Sequence, residues 1–468
     1  MDQDLPPETT DVLIVGAGAA GLSAAAVASH HGLEVTILDE NARPGGQYYR
    51  QSRLAGALPA RIVGPSQEAG RKLIDKVDFS RTRLFCDVIV WGNEGSDTLL
   101  YSMAGRSGRI TAKTIILATG AHERVVPFPG WTLPGVMTAG AAQTLLKSQA
   151  ILPGRRIAIA GTGPFLFPVA TQLAAAGGEI AALCEVSHSR LWPLRAPHLW
   201  RHLPVFREAV QYLIRMRQLG LSIAHGYTVV EAHGCDSLRA VTVAQMTEDM
   251  TEKPGTRREV EVDALLTSFG FVPNTQIARL IGCDLRWDAV QKTRFVRVDA
   301  AQATSLPGVF AAGEIVGIGG HRVAKAEGVL AGMEVVGALG VTLRDDWPTA
   351  RRKAVRAQRA GREFTDHMLR SFALKPGMLN LATADTILCR CESVPRSEID
   401  YHAALWDGSR RAVKQCTRAG MGRCQGRICG FAVEACIERH ALAESGPLSP
   451  DTAQIPVKPI ALVQTGGN

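Results

Sequence analysis

No apolar run in this 468-residue chain reaches the ~18 residues that a membrane span needs. The opening MDQDLPPETT has neither the basic start nor the apolar stretch of a secretory signal. Both absences point to a cytoplasmic chain without a membrane span, and leave peripheral docking on the inner membrane face open. Aromatic residues make up only 6%, and none is interleaved with basic residues as in the known nucleic-acid modules, so nucleic acid is not an expected partner. No C-x-x-C or C-x4-C lies near the strand–glycine-turn–helix motifs described below, which removes a dithiol–disulfide exchange reading. No nucleophile–base pair stands out, and no residue is assigned as catalytic.

What is present is globular in composition: 46% hydrophobic, 21% charged and 47 glycines. The length predicts two to four domains. Net charge is +8, and from Arg344 to Arg439 there are 18 Lys/Arg against 11 Asp/Glu. That stretch reads as a solvated basic face or a docking surface for an acidic electron partner. Six of the ten cysteines fall between Cys389 and Cys436. The other four, Cys86, Cys184, Cys235 and Cys283, sit in apolar contexts and are expected to be buried thiols.

Residues 11–15 form a β-type run that leads into Gly16-Ala17-Gly18-Ala19-Ala20-Gly21, then an Ala-rich helical stretch and a second strand ending at Asp39. The order is that of a dinucleotide-binding unit. Gly16 permits the tight turn, Gly18 lets backbone approach a pyrophosphate, and Gly21 lets helix pack on strand. The helix start at Ala19 and Ala20 offers unpaired N–H groups and a positive dipole end. Asp39, or its neighbour Glu40, is placed to accept from a ribose. Gly46 and Gln47 follow in PGGQ, where the chain can run along a dinucleotide. Ala118, Thr119 and Gly120 end a further apolar strand, and Gly313-Glu314 end another, where an acid can hold a ribityl chain. Val88 completes the candidate cofactor contacts. Together these predict FAD, with His321 a packing or ribityl neighbour.

The pattern repeats about 145 residues later at Gly161, Gly163 and Pro164. Leu166 stands at the third glycine position and Glu185 one place beyond the usual acid. A second nucleotide-type domain is therefore expected, with leucine narrowing the phosphate pocket. NAD(P), ATP or no ligand are the open alternatives for it.

Cys389 and Cys391 form a C-x-C, and after 32 residues Cys424 and Cys429 form a C-x4-C among glycines. Four thiolates can surround a compact Fe–S unit or a zinc; C-x-C is tight for a single tetrahedral zinc and suits neighbouring ligands of a cluster. Cys416 can replace a ligand, while Cys436 suits core packing.

The glycine and carboxylate set resembles the two-dinucleotide-domain flavoproteins, the group of the glutathione and thioredoxin reductases, although those usually carry Gly-Asp at the last motif. The cysteine span resembles the [2Fe–2S] domain named after bacterioferritin-associated ferredoxin. Through VGAGAAGLSAAA, PGGQYYRQ, ATGAHERVVPFPGWTLPGVMTAGAAQ, LKPGMLNLATADTILCRCE and GMGRCQGRIC, nearly the whole chain is similar to the FAD-containing component of dye-linked opine, D-hydroxyproline and L-proline dehydrogenases, and to the B component of hydrogen cyanide synthase.

The resemblance implies an α/β architecture: an FAD-binding domain (residues 1–125 and 265–342), an inserted nucleotide-type domain (126–264), a helical linker (343–385), a small helical [2Fe–2S] domain (386–441) and a tail (442–468). It also implies amine oxidation on a partner FAD subunit of the D-amino-acid-oxidase type. Electrons then pass through this polypeptide to a quinone or dye, in some members with FMN at the interface and a small iron–sulfur subunit. The competing readings are a stand-alone NAD(P)H-dependent reductase and a non-enzymatic assembly scaffold.

Overall fold

The computed structural model describes residues 5–52, 66–187, 203–344, 346–440 and 453–460; most of the expected tail, and the first four residues, lie outside them. Strand Thr9–Val15 runs through the middle of the first sheet. It is parallel to Val35–Leu38 on one side and to the long strand Arg106–Leu117 on the other. Thr82–Phe85 extends the sheet beyond Val35–Leu38, and Val309–Ala311 pairs in parallel with the end of Arg106–Leu117. The first half of that long strand carries an antiparallel meander, Thr98–Met103 and Val88–Glu94. The central strands are continuous apolar runs, as both faces are covered: all of Val12–Val15 and Val35–Leu38 is buried.

Helix Ala19–His30 packs against helix Gly320–Ala338. Two glycines of the second helix make the close approach possible. A Cβ on Gly328 would stand 2.1 Å from the Ala20 carbonyl oxygen, and one on Gly332 would stand 2.9 Å from that of Ala24. The 25-residue basic helix Trp347–Ser371 then lies along Gly320–Ala338.

A second parallel sheet orders Ala224–His225, Glu179–Glu185, Arg156–Gly161, Ala264–Ser268 and Val136–Thr138. A separate antiparallel meander, Tyr227–Gly234, Leu238–Gln245 and Arg258–Glu261, packs beside it. The two halves are joined where Ala121–Glu123 pairs antiparallel with Phe271–Pro273. The C-terminal unit comprises a short ladder, Ile387–Cys389 with Val394–Pro395, and helices Arg396–Leu405, Arg410–Thr417 and Gly430–Glu438, around a core of its own. Cys184 and Cys283 are buried as expected and Cys86 is half-buried. Cys235 is exposed, because it falls in the turn between Tyr227–Gly234 and Leu238–Gln245. Among the described residues no helix is long and apolar enough to cross a membrane.

Candidate functional site

Three backbone segments meet at the first glycine loop with no room for side chains. A Cβ on Gly16 would lie 2.4 Å from the Ala118 oxygen, one on Gly21 1.9 Å from the Gly16 oxygen, and one on Gly46 2.9 Å from the Gly18 Cα. Gly16 and Gly46 also have φ of +109° and +61°, where glycine is favoured. The result is a cradle of bare backbone at the start of helix Ala19–His30, with Ala19 and Ala20 in its first turn. It fits a dinucleotide pyrophosphate.

Asp39 is buried and holds this loop directly. One carboxylate oxygen accepts from Ala17 N–H at 2.5 Å, and the other from the Asn41 backbone and side chain at 2.7 and 2.8 Å. Burial raises its pKa above the usual carboxylate range, against those hydrogen bonds. Glu40 is exposed and pairs with Lys458. Burial raises its pKa, but Lys458, Arg427 and Arg50 outweigh that and leave it lowered. Val88 donates its N–H to the Asp39 carbonyl at 3.0 Å, and Gln47 accepts from Arg50 at 2.7 Å.

At the other end of the cradle, Thr119 Oγ1 donates to the Asn274 carbonyl at 2.7 Å, and the Asn274 backbone N–H donates to the Gly120 carbonyl at 2.9 Å. Glu314 takes a hydrogen bond from Gly320 N–H at the start of helix Gly320–Ala338, and burial raises its pKa. His321 stacks on Tyr48 with ring centroids 3.8 Å apart, and burial drives its pKa down to about 3.

Gly313 N–H is taken by Glu327 at 3.0 Å, and Glu327, only 1% exposed, is also held by Arg362 at 2.6 Å and by Gln358. Sequence reasoning missed this carboxylate. The available signal was an acid, the first of two, inside the largely apolar stretch AKAEGVLAGMEV.

The second glycine loop repeats the first in one respect. Glu185, 1% exposed, accepts from Gly163 N–H at 2.8 Å and Ser187 N–H at 3.0 Å, as Asp39 does in the first half. Burial pushes its pKa up to about 7. Gly161 is tight, with a Cβ position 1.9 Å from the Ser268 oxygen, whereas Gly163 faces open space. Leu166 is fully buried in the core and begins the helix Leu166–Ala175. The hydrogen-bonded helix thus starts at the third motif position, with Pro164 left in the turn, whereas in the first half it starts two residues earlier in the motif.

The four expected cysteines come together in the C-terminal unit. Cys429 is hydrogen-bonded to Cys389 and to Cys424, and Cys424 to Cys391. The Cys429 thiol brings Cys389 down to about 6 and Cys424 down to about 5, and is itself pushed up by those two neighbours. Backbone N–H groups of Gly420 and Glu392 reach Cys389, and those of Gly426 and Ile428 reach Cys424. Gly422 is required here, since a Cβ would lie 2.3 Å from that of Cys391.

Thiols paired in this way and surrounded by N–H donors fit an anionic thiolate-held group. Among the described residues, no group of three or more His, Cys, Asp or Glu is arranged to hold a metal ion as it stands; the four thiols are linked in a row, Cys389 to Cys429 to Cys424 to Cys391. Cys416 is exposed on its helix, and Cys436 is buried with its pKa pushed up to about 11 by burial.

The tripeptide His122-Glu123-Arg124, at and just after the crossing strand, ties the three units together. His122 reaches Asn274 and the carbonyl of Arg427, between two of the cysteines. Glu123 accepts from Gly140 N–H at 2.7 Å, and burial pushes its pKa up to about 7. Buried Arg124 donates to the Gln291 carbonyl and lies 4.4 Å from the ring centre of Phe431. Sequence reasoning found only the wording of this segment, not its role.

Two nucleotide-type sheets joined by crossing strands, with a bare-backbone cradle in the first, define an α/β oxidoreductase fold of the FAD-binding Rossmann type. The chain belongs to the pyridine nucleotide-disulphide oxidoreductase family, whose sequence pattern matches residues 10–330. It is 31% identical to the A component of opine oxidase from Agrobacterium tumefaciens, over 97% of this chain and 91% of that protein. It is 33% identical to the HcnB component of hydrogen cyanide synthase from Pseudomonas aeruginosa, over 96% of each. The crystal structure of L-proline dehydrogenase from P. horikoshii superposes with a TM-score of 0.70 at 20% identity, covering 98% of this chain and 80% of that one. The likeness to both curated relatives therefore continues past the family pattern, through the cysteine unit.

Proposed function

We propose that this chain is the electron-transfer subunit of a heteromeric dehydrogenase that oxidises a CH–NH donor of the opine, D-hydroxyproline or proline class. In this reading FAD lies in the first cradle and a [2Fe–2S] cluster on Cys389, Cys391, Cys424 and Cys429. The flavin supplies two-electron acceptance and the cluster one-electron exchange. The amine is oxidised on a D-amino-acid-oxidase-like partner, and the final acceptor is a quinone or dye.

The observation that carries the reading is the meeting of four thiols in a unit braced by His122 to the strand that follows the Ala118-Thr119-Gly120 turn. The residues of this chain bind and orient. The glycine cradle holds phosphates, Asp39 fixes the loop, and Gly420, Gly426 and Ile428 donate N–H groups to sulfur.

The test is absorption and metal analysis of the chain alone and co-expressed with its neighbouring subunits, followed by anaerobic addition of candidate amines. The chain alone is expected to carry flavin and iron yet remain oxidised; bleaching by an amine is expected only with the partner. Amine turnover by the isolated chain, or zinc in place of iron, overturns the reading. Prompt bleaching by NADH or NADPH replaces it with a stand-alone reductase.

A further inference from the structure

The ring of His122 is caught between two oxygens. Nδ1 lies 2.8 Å from Asn274 Oδ1, and Nε2 lies 2.9 Å from the Arg427 carbonyl. The carbonyl can only accept. Asn274 is oriented by Thr119, whose carbonyl takes the amide Nδ2–H at 2.9 Å, so Oδ1 is the atom that faces the ring. A neutral imidazole has one N–H to give. With the proton on Nε2, Nδ1 meets Oδ1 lone pair to lone pair; with it on Nδ1, Nε2 meets the Arg427 carbonyl in the same way. Turning the Asn274 amide moves the conflict to the Thr119 carbonyl without removing it. Only the imidazolium, with two N–H groups, satisfies every partner.

We propose that His122 is a proton-binding site coupled to electron arrival at the cysteine loop. One electron passed from the reduced flavin to a group held by the four thiols would be matched by one proton taken up from solvent onto the ring, and both would leave when the acceptor reoxidises that group. The inference rests on the proposed reading of the thiols as holders of a redox cluster.

Arg427 and Cys424, on the cysteine loop, act on the ring directly. The cavity beside it is also lined by Arg279 on helix Gln276–Ile281, Lys292 and Arg294 on the Leu285–Val296 hairpin, Arg410 and Lys414 on helix Arg410–Thr417, and Arg124 on the adjoining chain, with Glu434 paired to Arg294 and Arg410. The arginines keep their charge across the physiological range. Burial lowers the pKa of His122, and Arg427 adds to that, while negative charge at Cys424 acts the other way. The ring is therefore poised: disfavoured as a cation by its surroundings, but favoured as one by both hydrogen bonds and by added charge on the loop. A cavity of about 160 Å³ that His122, Gln425 and Arg427 help to line gives water access to it. Glu123, next to it in the chain, is bonded to Gly140 in the second unit instead.

The test is redox potentiometry of the iron signal between pH 5.5 and 9 in wild type, His122→Gln and Glu123→Gln, after iron and flavin have been measured. Wild type and Glu123→Gln are expected to shift tenfold in the one-electron equilibrium per pH unit through the neutral window, about 59 mV. His122→Gln is expected to be flat. Redox-difference infrared spectra with ring-labelled histidine are expected to show imidazolium only in reduced wild type, a readout that does not need the variant to fold. A pH-independent potential, or a ring unchanged by reduction, in iron-loaded wild type overturns this inference and leaves the relay reading standing. Protein that holds no iron overturns both.

Discussion

An acid at the end of a nucleotide-fold strand can meet a ribose or can hold the glycine loop beside it. Asp39 and Glu185 both hold the loop, at matching places in the two halves. Asp39→Ala leaves the Ala17 and Asn41 N–H groups without their acceptor, and a buried unmet donor costs about 1–3 kcal/mol. The expected result is a lower melting temperature and flavin lost on gel filtration; full flavin retention would show that the loop stands without it. Glu185 gives a pH signature. With a folded pKa pushed up to about 7, above its unfolded value, the folded state binds more protons between about pH 4.3 and 7. Its contribution is thus complete below the unfolded pKa and is lost as pH rises through about 7, a change on the order of 3 kcal/mol. Glu185→Gln should flatten the urea midpoint over that window, at a pH-independent cost of about 1 kcal/mol for one weakened hydrogen bond. An unchanged slope would place the titration elsewhere.

Helix Gly320–Ala338 carries a contrast within one element. A methyl on Gly328 meets the Ala20 backbone at 2.1 Å, whereas one on Gly337 meets nothing within 4 Å. Gly337→Ala should stabilise by about 0.4–1 kcal/mol through the unfolded chain. Gly328→Ala should destabilise by about 1–3 kcal/mol by overpacking, and should weaken flavin binding, because Ala20 lies in the first turn of the cradle helix. Equal effects in paired denaturation curves would refute the contact. The helix itself was legible in AKAEGVLAGMEV, as the strand–turn–helix was in GAGAAG, since both are written in short-range spacing. Which face the glycines serve was not legible, because it depends on a helix some 300 residues away. The role of Glu327 was hidden for a nearer reason, since its partners Gly313, Gln358 and Arg362 lie on a preceding turn and on the next helix, while the partners of His122, Glu123 and Arg124 lie in other units. Cys389, Cys391, Cys424 and Cys429 were legible as a set because thiols are few and their spacing is local; the bracing of their loop by His122 was not.

At the scale of the whole chain, the end returns to the beginning. Residues 453–460 lie along the edge strand Val88–Glu94: Val457 is 3% exposed, its N–H donates to the Trp91 carbonyl at 3.0 Å, and Lys458 pairs with Glu40 beside the first glycine loop. The chain thus leaves the cysteine unit and closes on the flavin domain, covering an edge that would otherwise offer unpaired backbone. That arrangement predicts a separation of the two sites. Val457→Asp puts an unpaired carboxylate into the buried contact, which is costly, so the segment should detach from the sheet edge. Limited proteolysis should then cut within 453–460, and flavin should dissociate more readily. The cysteine unit packs around its own core and should keep its four thiols in place, so iron content should not change. Loss of iron together with flavin in Val457→Asp would mean that the tail supports both sites, and that the cysteine unit does not stand on its own core.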